Sequence, residues 1–559
     1  MKKRAIFILL LAIILGVITR HYHLGLAPAG LYLDEAAQGY SAYSILKTGK
    51  DEFGLPFPIV FRSFADFKTP VYIYLIVPLI PIFGLSAFTV RLPSFLSSIL
   101  TLPILFLLIQ KLTSGKQSGY WLSSLSVLLL SLSPWHILFG RTNFECNVAL
   151  LIYLLGIYLF YLGLKKPLLL IFSGVVLAVA LPAYHSERLL VPLSALFFLV
   201  RFNKVLLKPT HLRFALTGLL LAFLITLPLL TIALTPGFLA RVNTLAIDPA
   251  QNLPGVITGL SGLSNSALNS GFFLRLKDFL ALYLAYLSPR NLFFLGDSGP
   301  RSSFPDLSTF FFWQLPFYLH GFYLLLKKKD LGEIRNLTLF MLFVSPIPAA
   351  LTRDPFSTIR ALPLVIPVTI LISLSLIDIW QRLKTSLRRL LGLAVFGLLL
   401  IYSLLKLYSS AIILNEYYRA ADWNYGWQQV VEVINKNTDS TLPIVIDNVR
   451  TEPYSQVLFF TKFDPARYQR ENFEVPLSEY YTNLTRQTTK KIGRISLRGI
   501  AWEADLAVKQ YLIGDFLAIS PEQISNNHLR LIAEIKYPDG SVAFRITLTQ
   551  PELNSATIK

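Results

Sequence analysis

The feature that most constrains this chain is a series of long apolar segments that recurs along most of its 559 residues. A helix needs about 20 mostly apolar residues to cross a bilayer, and a soluble core could not bury so many such segments in series. Only 15% of the residues are charged, against roughly 25% in soluble domains. The chain is therefore predicted to be a polytopic α-helical membrane protein.

Short basic clusters between the apolar segments predict its orientation. Lys and Arg are retained in cytoplasmic loops, so we interpret each cluster as cytoplasmic. The clusters are residues 2–4, Lys111/Lys116, Lys165/Lys166, Arg201/Lys204/Lys208/Arg213, Lys327/Lys328/Lys329/Arg335 and Arg382/Lys384/Arg388/Arg389. The net charge of +19 is accounted for by these loops, and no nucleic-acid partner is expected.

An even number of spans must separate successive cytoplasmic clusters, and this parity predicts about eleven transmembrane helices. They are expected at roughly 5–20, 91–110, 118–137, 147–164, 167–183, 189–201, 214–234, 307–326, 336–351, 361–380 and 390–411. The count requires that residues 70–85 do not cross, since Pro70, Pro78 and Pro81 interrupt helical hydrogen bonding. That segment is expected to lie at the outer interface. The N-terminus is then cytoplasmic and the C-terminus extracytoplasmic.

The predicted organisation has two domains. Residues 1–411 form the transmembrane domain, with external loops at 21–90 and 235–306, and residues 412–559 form a small extracytoplasmic α/β domain. Within it "WNYGWQQVVEVINK" has helical spacing, "TLPIVIDNV" predicts a buried strand, and "LRLIAEIKYPDGSVAFRITLT" predicts a hairpin. A cleaved signal peptide is not expected, because the loosely matching Ala27-Pro28-Ala29 lies far past the apolar stretch. The single Cys146 excludes an internal disulfide framework.

Ionisable groups collect on the predicted external face, close to the ends of the spans. Such groups are costly near a membrane and tend to be functional. They are Asp34, Glu35, Asp66, Lys68, Arg141, Glu145, His185, Glu187, Arg188, Arg353, Asp354 and Arg360. A carboxylate can take a proton from an attacking hydroxyl, and Arg or Lys can hold a phosphate leaving group. The pattern favours a reaction between an anionic lipid headgroup and a hydroxyl acceptor.

Structural explanations stay open for several of these residues. Asp34 fits the N-cap position of the following helix, Glu187 and Arg188 could form a local ion pair, and His185 could be a packing histidine. No His, Asp or Glu spacing matches a metal motif, and no glycine-rich nucleotide loop or nucleophile motif is present in the sequence. Cytosolic nucleotides are therefore not expected as direct substrates.

Several motifs, in this order, resemble the GT-C superfamily of membrane glycosyltransferases. They are "LYLDEA", "FKTPVYIYL", "VRLPSFLSSIL", "SPWHILFGRTNFECN", "PAYHSERLLVPL" and "RDPFSTIRALPLVIPV", spread over roughly residues 1–400. The resemblance is strongest to the bacterial branch that is similar to protein O-mannosyltransferases and the lipid A aminoarabinose transferase. It implies transfer of a sugar from a polyprenyl-phosphate donor, with inversion at the anomeric carbon, by a multi-pass protein of the cell (plasma) membrane.

Carried over by position, the resemblance implies catalytic and substrate-binding residues. Asp34 matches the favoured catalytic base, with Glu35 as its companion, and Glu145 matches an acidic residue of the second external loop. Lys68 matches a lysine that contacts the donor phosphate, although Lys-Thr-Pro departs here from the related "KPP"-like motif. Further substrate-binding candidates are Asp66, Arg141, His185, Arg188, Arg353 and Arg360. Some relatives use a divalent metal and others do not, so the resemblance leaves a metal open.

Two functions from other classes remain alternatives. One is a transporter or flippase for lipid-linked glycans, although such proteins often carry internal repeats and charged groups near the bilayer midplane. The other is a non-catalytic binding protein that retains the fold, because fold alone does not imply function. Within the enzyme class, a glycan ligase or polymerase is a further alternative. The sequence leaves open which sugar moves and whether the acceptor is a protein, a lipid or a glycan.

Overall fold

The computed structural model describes residues 2–64, 66–115, 117–238, 271–472, 476–485 and 489–553. The chain divides into two compact units, each built from two separate stretches. The first unit comprises Met1–Tyr22 and Ser94–Ser410, and the second comprises His23–Pro93 and Ala411–Lys559. Most of the predicted first external loop therefore packs with the polar C-terminal region, whereas the prediction assigned that loop to the transmembrane domain.

The first unit is helical. Its α-helices, one of which begins in the second unit, are Lys2–His21, Ala87–Leu112, Gln117–Ser131, Pro134–Gly140, Glu145–Gly163, Leu169–Ala180, Glu187–Leu206, Pro209–Thr231, Gly271–Leu287, Leu315–Lys327, Glu333–Val344, Ile347–Ala350, Val365–Arg382 and Ser386–Tyr408. The helix Leu169–Ala180 packs against the preceding helix, Glu145–Gly163, and against Pro209–Thr231. A Cβ atom added at its Gly174 would lie 2.8 Å from the carbonyl oxygen of Gly218, so small residues permit this close approach of backbones.

Seven helices in the described part of the chain are long and apolar enough to cross a membrane. They are Lys3–His21, Ala87–Leu112, Glu145–Gly163, Glu187–Leu206, Pro209–Thr231, Leu362–Arg382 and Ser386–Arg419. An eighth candidate is the pair Ser118–Ser131 and Pro134–Gly140, which is bent by 62°. The chain is thus a multi-pass membrane protein, as predicted.

The remaining three predicted spans also fall on helices, but on short ones. The segments 167–183, 307–326 and 336–351 contain helices of 12, 13 and 12 residues. At 1.5 Å per residue, 12 residues reach only about 18 Å, short of a hydrocarbon core of about 30 Å. The count of eleven and the predicted sidedness therefore stay predictions.

Two segments that were not predicted to cross are also helical. Residues 70–83 form a broken helix, Pro70–Ile76, Val77–Leu79 and Ile80–Phe83, whose interruptions coincide with prolines. Its place at the outer interface stays a prediction. The predicted external loop 235–306 contains the helix Gly271–Leu287, and residues 239–270 lie outside the described part of the chain.

The second unit is built around a six-stranded mixed sheet. The strands of the unit are β1 Phe61–Ser63, β2 Asp66–Lys68, β3 Ile444–Ile446, β4 Lys491–Ile492, β5 Ile495–Leu497, β6 Tyr511–Asp515, β7 Arg530–Lys536 and β8 Val542–Leu548. The large sheet has the order β4-β5-β3-β6-β8-β7, in which β3 runs parallel to both β5 and β6. The predicted hairpin is confirmed as β7 and β8, with Gly540 in the turn at a φ of +87°.

The remaining α-helices of this unit are Leu33–Thr48, Asn415–Arg419, Trp427–Asn437, Pro453–Thr461, Pro465–Glu471, Trp502–Leu506 and Pro521–Asn526. We call Leu33–Thr48 the carboxylate helix, because its first turn carries Asp34 and Glu35. It contributes Tyr40, fully buried, to a core that also contains Trp427 and Phe544. A Cβ atom at Gly39 would lie 2.5 Å from the Phe459 ring. The carboxylate helix is therefore an integral part of the core of the C-terminal sheet.

Candidate active site

Asp34 and Lys68, the predicted base and the predicted phosphate-binding lysine, are in direct contact. Lys68 Nζ donates to Asp34 Oδ2 at 2.7 Å. The Lys68 side chain is 9% exposed and the Asp34 side chain is 24% exposed. Lys68 ends β2, which pairs with β1 in an antiparallel ribbon that holds it beside the helix. From the described residues Asp34 Oδ1 accepts no hydrogen bond. Asp34 thus offers a partly exposed carboxylate next to a largely buried ammonium.

The carboxylate helix begins two residues earlier than an N-cap at Asp34 would place it. It starts at Leu33, with Tyr32 at the cap, so the expectation that Asp34 is the N-cap was wrong. Instead Glu35 Oε2 accepts from the backbone N–H of Tyr32 at 3.0 Å. Both carboxylates lie in the first helical turn, where the helix dipole favours negative charge.

Glu35 is held in a buried ion pair with Arg91. Arg91 Nε donates to Glu35 Oε1 at 3.0 Å and Nη2 donates to Oε2 at 2.8 Å. Arg91 also donates to the carbonyl oxygens of Pro28 and Gly30, at 3.1 and 2.7 Å. Through Arg91, the Glu35 carboxylate therefore holds the backbone segment that precedes the helix in place. Arg91 was not predicted as a site residue, although an arginine inside an apolar segment is a feature that could have pointed to it.

Asp66 begins β2, two residues before Lys68, so the two side chains project from the same side of the strand. It is half-buried, and its Oδ1 accepts from the backbone N–H of Phe67 at 2.7 Å. Asp66 and Lys68 therefore lie on one short strand, which was not predicted from the sequence.

A second acidic pair, Asp51 and Glu52, lies in the loop after the carboxylate helix and was not singled out from the sequence. Tyr480 donates to Asp51 Oδ2 at 2.5 Å, and the N–H groups of Phe53 and Leu55 donate to Oδ1. Burial raises the pKa of Asp51 to about 7 and raises the pKa of Glu52 well above its usual range. From the described residues Glu52 accepts no side-chain hydrogen bond, although it is only 1% exposed.

The other predicted site residues belong to the first unit. Arg141 is buried and donates to the carbonyl oxygens of Thr19 and Arg20, at 2.9 and 3.3 Å. It thus satisfies carbonyls at the C-terminal end of the first helix, where a cation is favourable. Glu145 is the first residue of the helix Glu145–Gly163 and is buried.

Two further groups of predicted residues lie in loops of the first unit or at the ends of its helices. The Arg188 guanidinium carbon lies 4.0 Å from the centre of the Phe238 ring, within cation–π range, and the nearby His185 is half-buried. Arg360 pairs with Asp354 and donates to Thr352 Oγ1. Arg353, in the same short connection, is exposed.

Within the described residues, no group of three or more His, Cys, Asp or Glu side chains could hold a metal ion. The structure thus adds no candidate metal ligands to the question that the resemblance left open.

Residues 67–232 match the protein family described as dolichyl-phosphate-mannose-protein mannosyltransferase. No sequence among the curated proteins matches the chain. The chain is similar to the crystal structure of ArnT from Cupriavidus metallidurans in the apo state, with a TM-score of 0.52, 12% identity and 98% of each chain covered. For ArnT bound to undecaprenyl phosphate the TM-score is 0.51, with 12% identity and 97% of each chain covered.

A weaker likeness is to the oligosaccharyltransferase from Archaeoglobus fulgidus in the apo form. Its TM-score is 0.48 at 12% identity, and the alignment covers 97% of this chain and 74% of that one. The predicted resemblance is confirmed by the family match and by ArnT: this chain has the GT-C fold of a multi-pass membrane protein.

Proposed function

We propose that this protein is a glycosyltransferase that moves a sugar from a polyprenyl-phosphate-linked donor to an acceptor on the extracytoplasmic face. The observation that carries the proposal is the contact between Asp34 and Lys68, at 2.7 Å, with Asp34 partly exposed. The GT-C fold and the match of residues 67–232 to a family named for a lipid-phosphate sugar donor support it. ArnT bound to undecaprenyl phosphate is consistent with a donor of that class.

In the proposed reaction Asp34 is the general base. It takes the proton of an acceptor hydroxyl while the hydroxyl oxygen forms a bond to the anomeric carbon of the sugar. The bond from that carbon to the phosphate oxygen breaks, and its electron pair leaves with the polyprenyl phosphate. A single displacement by one carboxylate-assisted nucleophile inverts the anomeric centre. The products are the glycosylated acceptor, polyprenyl phosphate and a protonated Asp34.

Lys68 is suited to stabilise the charge that develops on the phosphate. An ammonium has three N–H donors, and one of them reaches Asp34 Oδ2. The others are available to a phosphate, and a fixed cation that meets developing charge is worth most where water is excluded. The low exposure of Lys68 meets that condition. The same lysine would orient Asp34 toward the acceptor.

Further members of the proposed site remain predictions. Glu35 contributes by bracing the helix, because its carboxylate is occupied by Arg91. Glu145 is a further predicted catalytic residue, and the predicted substrate-binding residues of the first unit are Arg141, His185, Arg188, Arg353 and Arg360. Among them, the two backbone hydrogen bonds of Arg141 favour a structural role.

The test is transfer, or donor hydrolysis, by purified protein from a panel of radiolabelled polyprenyl-phosphate sugars. Asp34→Asn should lower kcat by about 100- to 10,000-fold, the usual range for a general base. Asp515→Asn is the matched control, because it removes the negative charge from another ion pair of the same unit, that of Asp515 with Arg450. An unchanged rate in folded Asp34→Asn would remove Asp34 as the base. No turnover by folded wild type with any donor would instead favour a transporter or a binding protein.

A further inference from the structure

We propose that Asn424 and Gln456, two residues of the C-terminal region, are positioning residues for Asp34. We call them together the tail latch. The inference rests on the proposed function, in which Asp34 is the base, and it adds a role for a region whose contribution the motifs do not indicate.

The first hydrogen bond of the tail latch lies at the start of the carboxylate helix. The first N–H groups of a helix have no intrahelical partner, and a side chain at the cap usually accepts from them. Here Asn424 Oδ1, 391 residues away, accepts from the N–H of Leu33, the first residue of the helix, at 3.0 Å. Leu33 immediately precedes Asp34.

The second hydrogen bond of the tail latch lies two residues before the helix. Gln456 Nε2 donates to the carbonyl oxygen of Leu31 at 2.7 Å. Gln456 is fully buried on the helix Pro453–Thr461, which packs against the carboxylate helix. The side chains of Asn424 and Gln456 therefore hold the backbone of Leu33 and Leu31, just before Asp34.

The backbones themselves meet at this place. Gly30 has a φ of +91°, and a Cβ atom there would lie 2.4 Å from the carbonyl oxygen of Trp423 and 2.8 Å from the N atom of Tyr425. Asn424, between these two residues, has a φ of +54°, a left-handed conformation that Asn tolerates better than most residues. Both backbone conformations serve to bring Asn424 to the helix start.

These two hydrogen bonds affect catalysis because Asp34 directly follows Leu33 in the chain. A misplacement of about 1 Å in a reacting group can cost about 100-fold in rate. Loss of the latch should therefore lower kcat, and it should leave the binding of the donor by Lys68 unchanged. An ordinary packing role would instead lower stability without this separation of kcat from KM.

The test uses Asn424→Gly and Asn424→Asp in the full-length protein. Glycine keeps the left-handed backbone and removes the acceptor oxygen, whereas aspartate keeps an acceptor oxygen. We expect Asn424→Gly to lower kcat by about 10- to 100-fold with an unchanged donor KM, and Asn424→Asp to recover most of the rate. Gln456→Met, which removes the donor at similar size, should act in the same direction. Asn448→Gly is the control, since Asn448 lies in the same region and donates to the carbonyl oxygen of Leu497 at 3.3 Å.

Hydrogen–deuterium exchange provides a readout that needs no substrate. The amides of residues 33–37 should exchange faster in Asn424→Gly than in wild type, Asn424→Asp or Asn448→Gly. Unchanged exchange, or an unchanged kcat in Asn424→Gly, would overturn the inference. Wild type without any turnover would contradict the proposed function instead, and the exchange result would still decide whether the latch orders the segment that carries Asp34.

Discussion

Glu35 and Arg91 form a two-pronged ion pair that is shielded from solvent one residue beyond Asp34. Their side chains are 1% and 0% exposed, against 24% for Asp34. Two adjacent carboxylates in one helical turn thus have different environments. The exposed one is available for chemistry, and the buried one holds the chain that leads into the helix.

Loss of Arg91 should therefore destabilise the protein. Arg91→Met leaves the Glu35 carboxylate buried without its cation, and breaking such a pair costs about 3–5 kcal/mol. We expect a clear fall in Tm, measured by thermal unfolding of the purified protein, with partial recovery in the double variant Glu35→Gln/Arg91→Met. Arg467→Met is the control, because Arg467 forms an exposed pair with Glu471, which is worth about 0.3–0.5 kcal/mol. Equal Tm values for Arg91→Met and wild type would contradict this role.

Lys68 should act on the donor. Lys68→Met removes the ammonium that meets the phosphate, so we expect a higher donor KM and a kcat lowered by about 100-fold or more. Lys68→Arg keeps the charge and should retain part of the activity. The measurement is steady-state transfer over a range of donor concentrations. The control is Lys328→Met, which removes an ion pair in which Lys328 Nζ lies 2.7 Å from Asp378 Oδ1. A Lys68→Met enzyme with wild-type KM and kcat would rule out this role.

Asp51 should make stability depend on pH. Burial raises its pKa from 3.8 to about 7. Between these values the folded protein binds more protons than the unfolded chain, so this contribution to stability is full below pH 3.8 and is lost as the pH rises through about 7. At 1.36 kcal/mol per pKa unit the loss amounts to about 4 kcal/mol. Asp51→Asn should therefore lose less Tm than wild type between pH 5 and pH 8.

The control for this pH experiment is Glu503→Gln, which removes an exposed carboxylate from the same unit and should keep the wild-type slope. Parallel curves for wild type and Asp51→Asn would show that Asp51 is not the group responsible. Glu52, whose pKa burial also raises, acts in the same direction, so some slope should remain in Asp51→Asn.

Much of the fold could be predicted because its causes are local. Hydropathy over about 20 residues predicted the helices of the membrane region, and all eleven predicted spans fall on helices. The turn at Pro538-Asp539-Gly540 predicted the hairpin, since glycine there adopts a φ of +87°. The resemblance also pointed to Asp34 and Lys68, which lie in contact.

The local pattern was not enough at the start of the carboxylate helix. Asp34 had the residue type of an N-cap, but the helix begins at Leu33, whose N–H is bonded by Asn424. Hydrogen bonds between residues 391 positions apart leave no trace in local spacing. The pairing of Arg91 with Glu35 could not be predicted for the same reason, because the two residues are 56 positions apart.

The sequence by itself therefore determined that this is a multi-pass helical membrane protein with a C-terminal sheet and a carboxylate after the first span. Only the tertiary structure decided that Asp34 meets Lys68, that Glu35 is buried against Arg91, and that the carboxylate helix is part of the core around Trp427. Hydropathy and turn preferences act over a few neighbouring residues. Burial and ion pairing instead depend on which distant segments of the chain pack together.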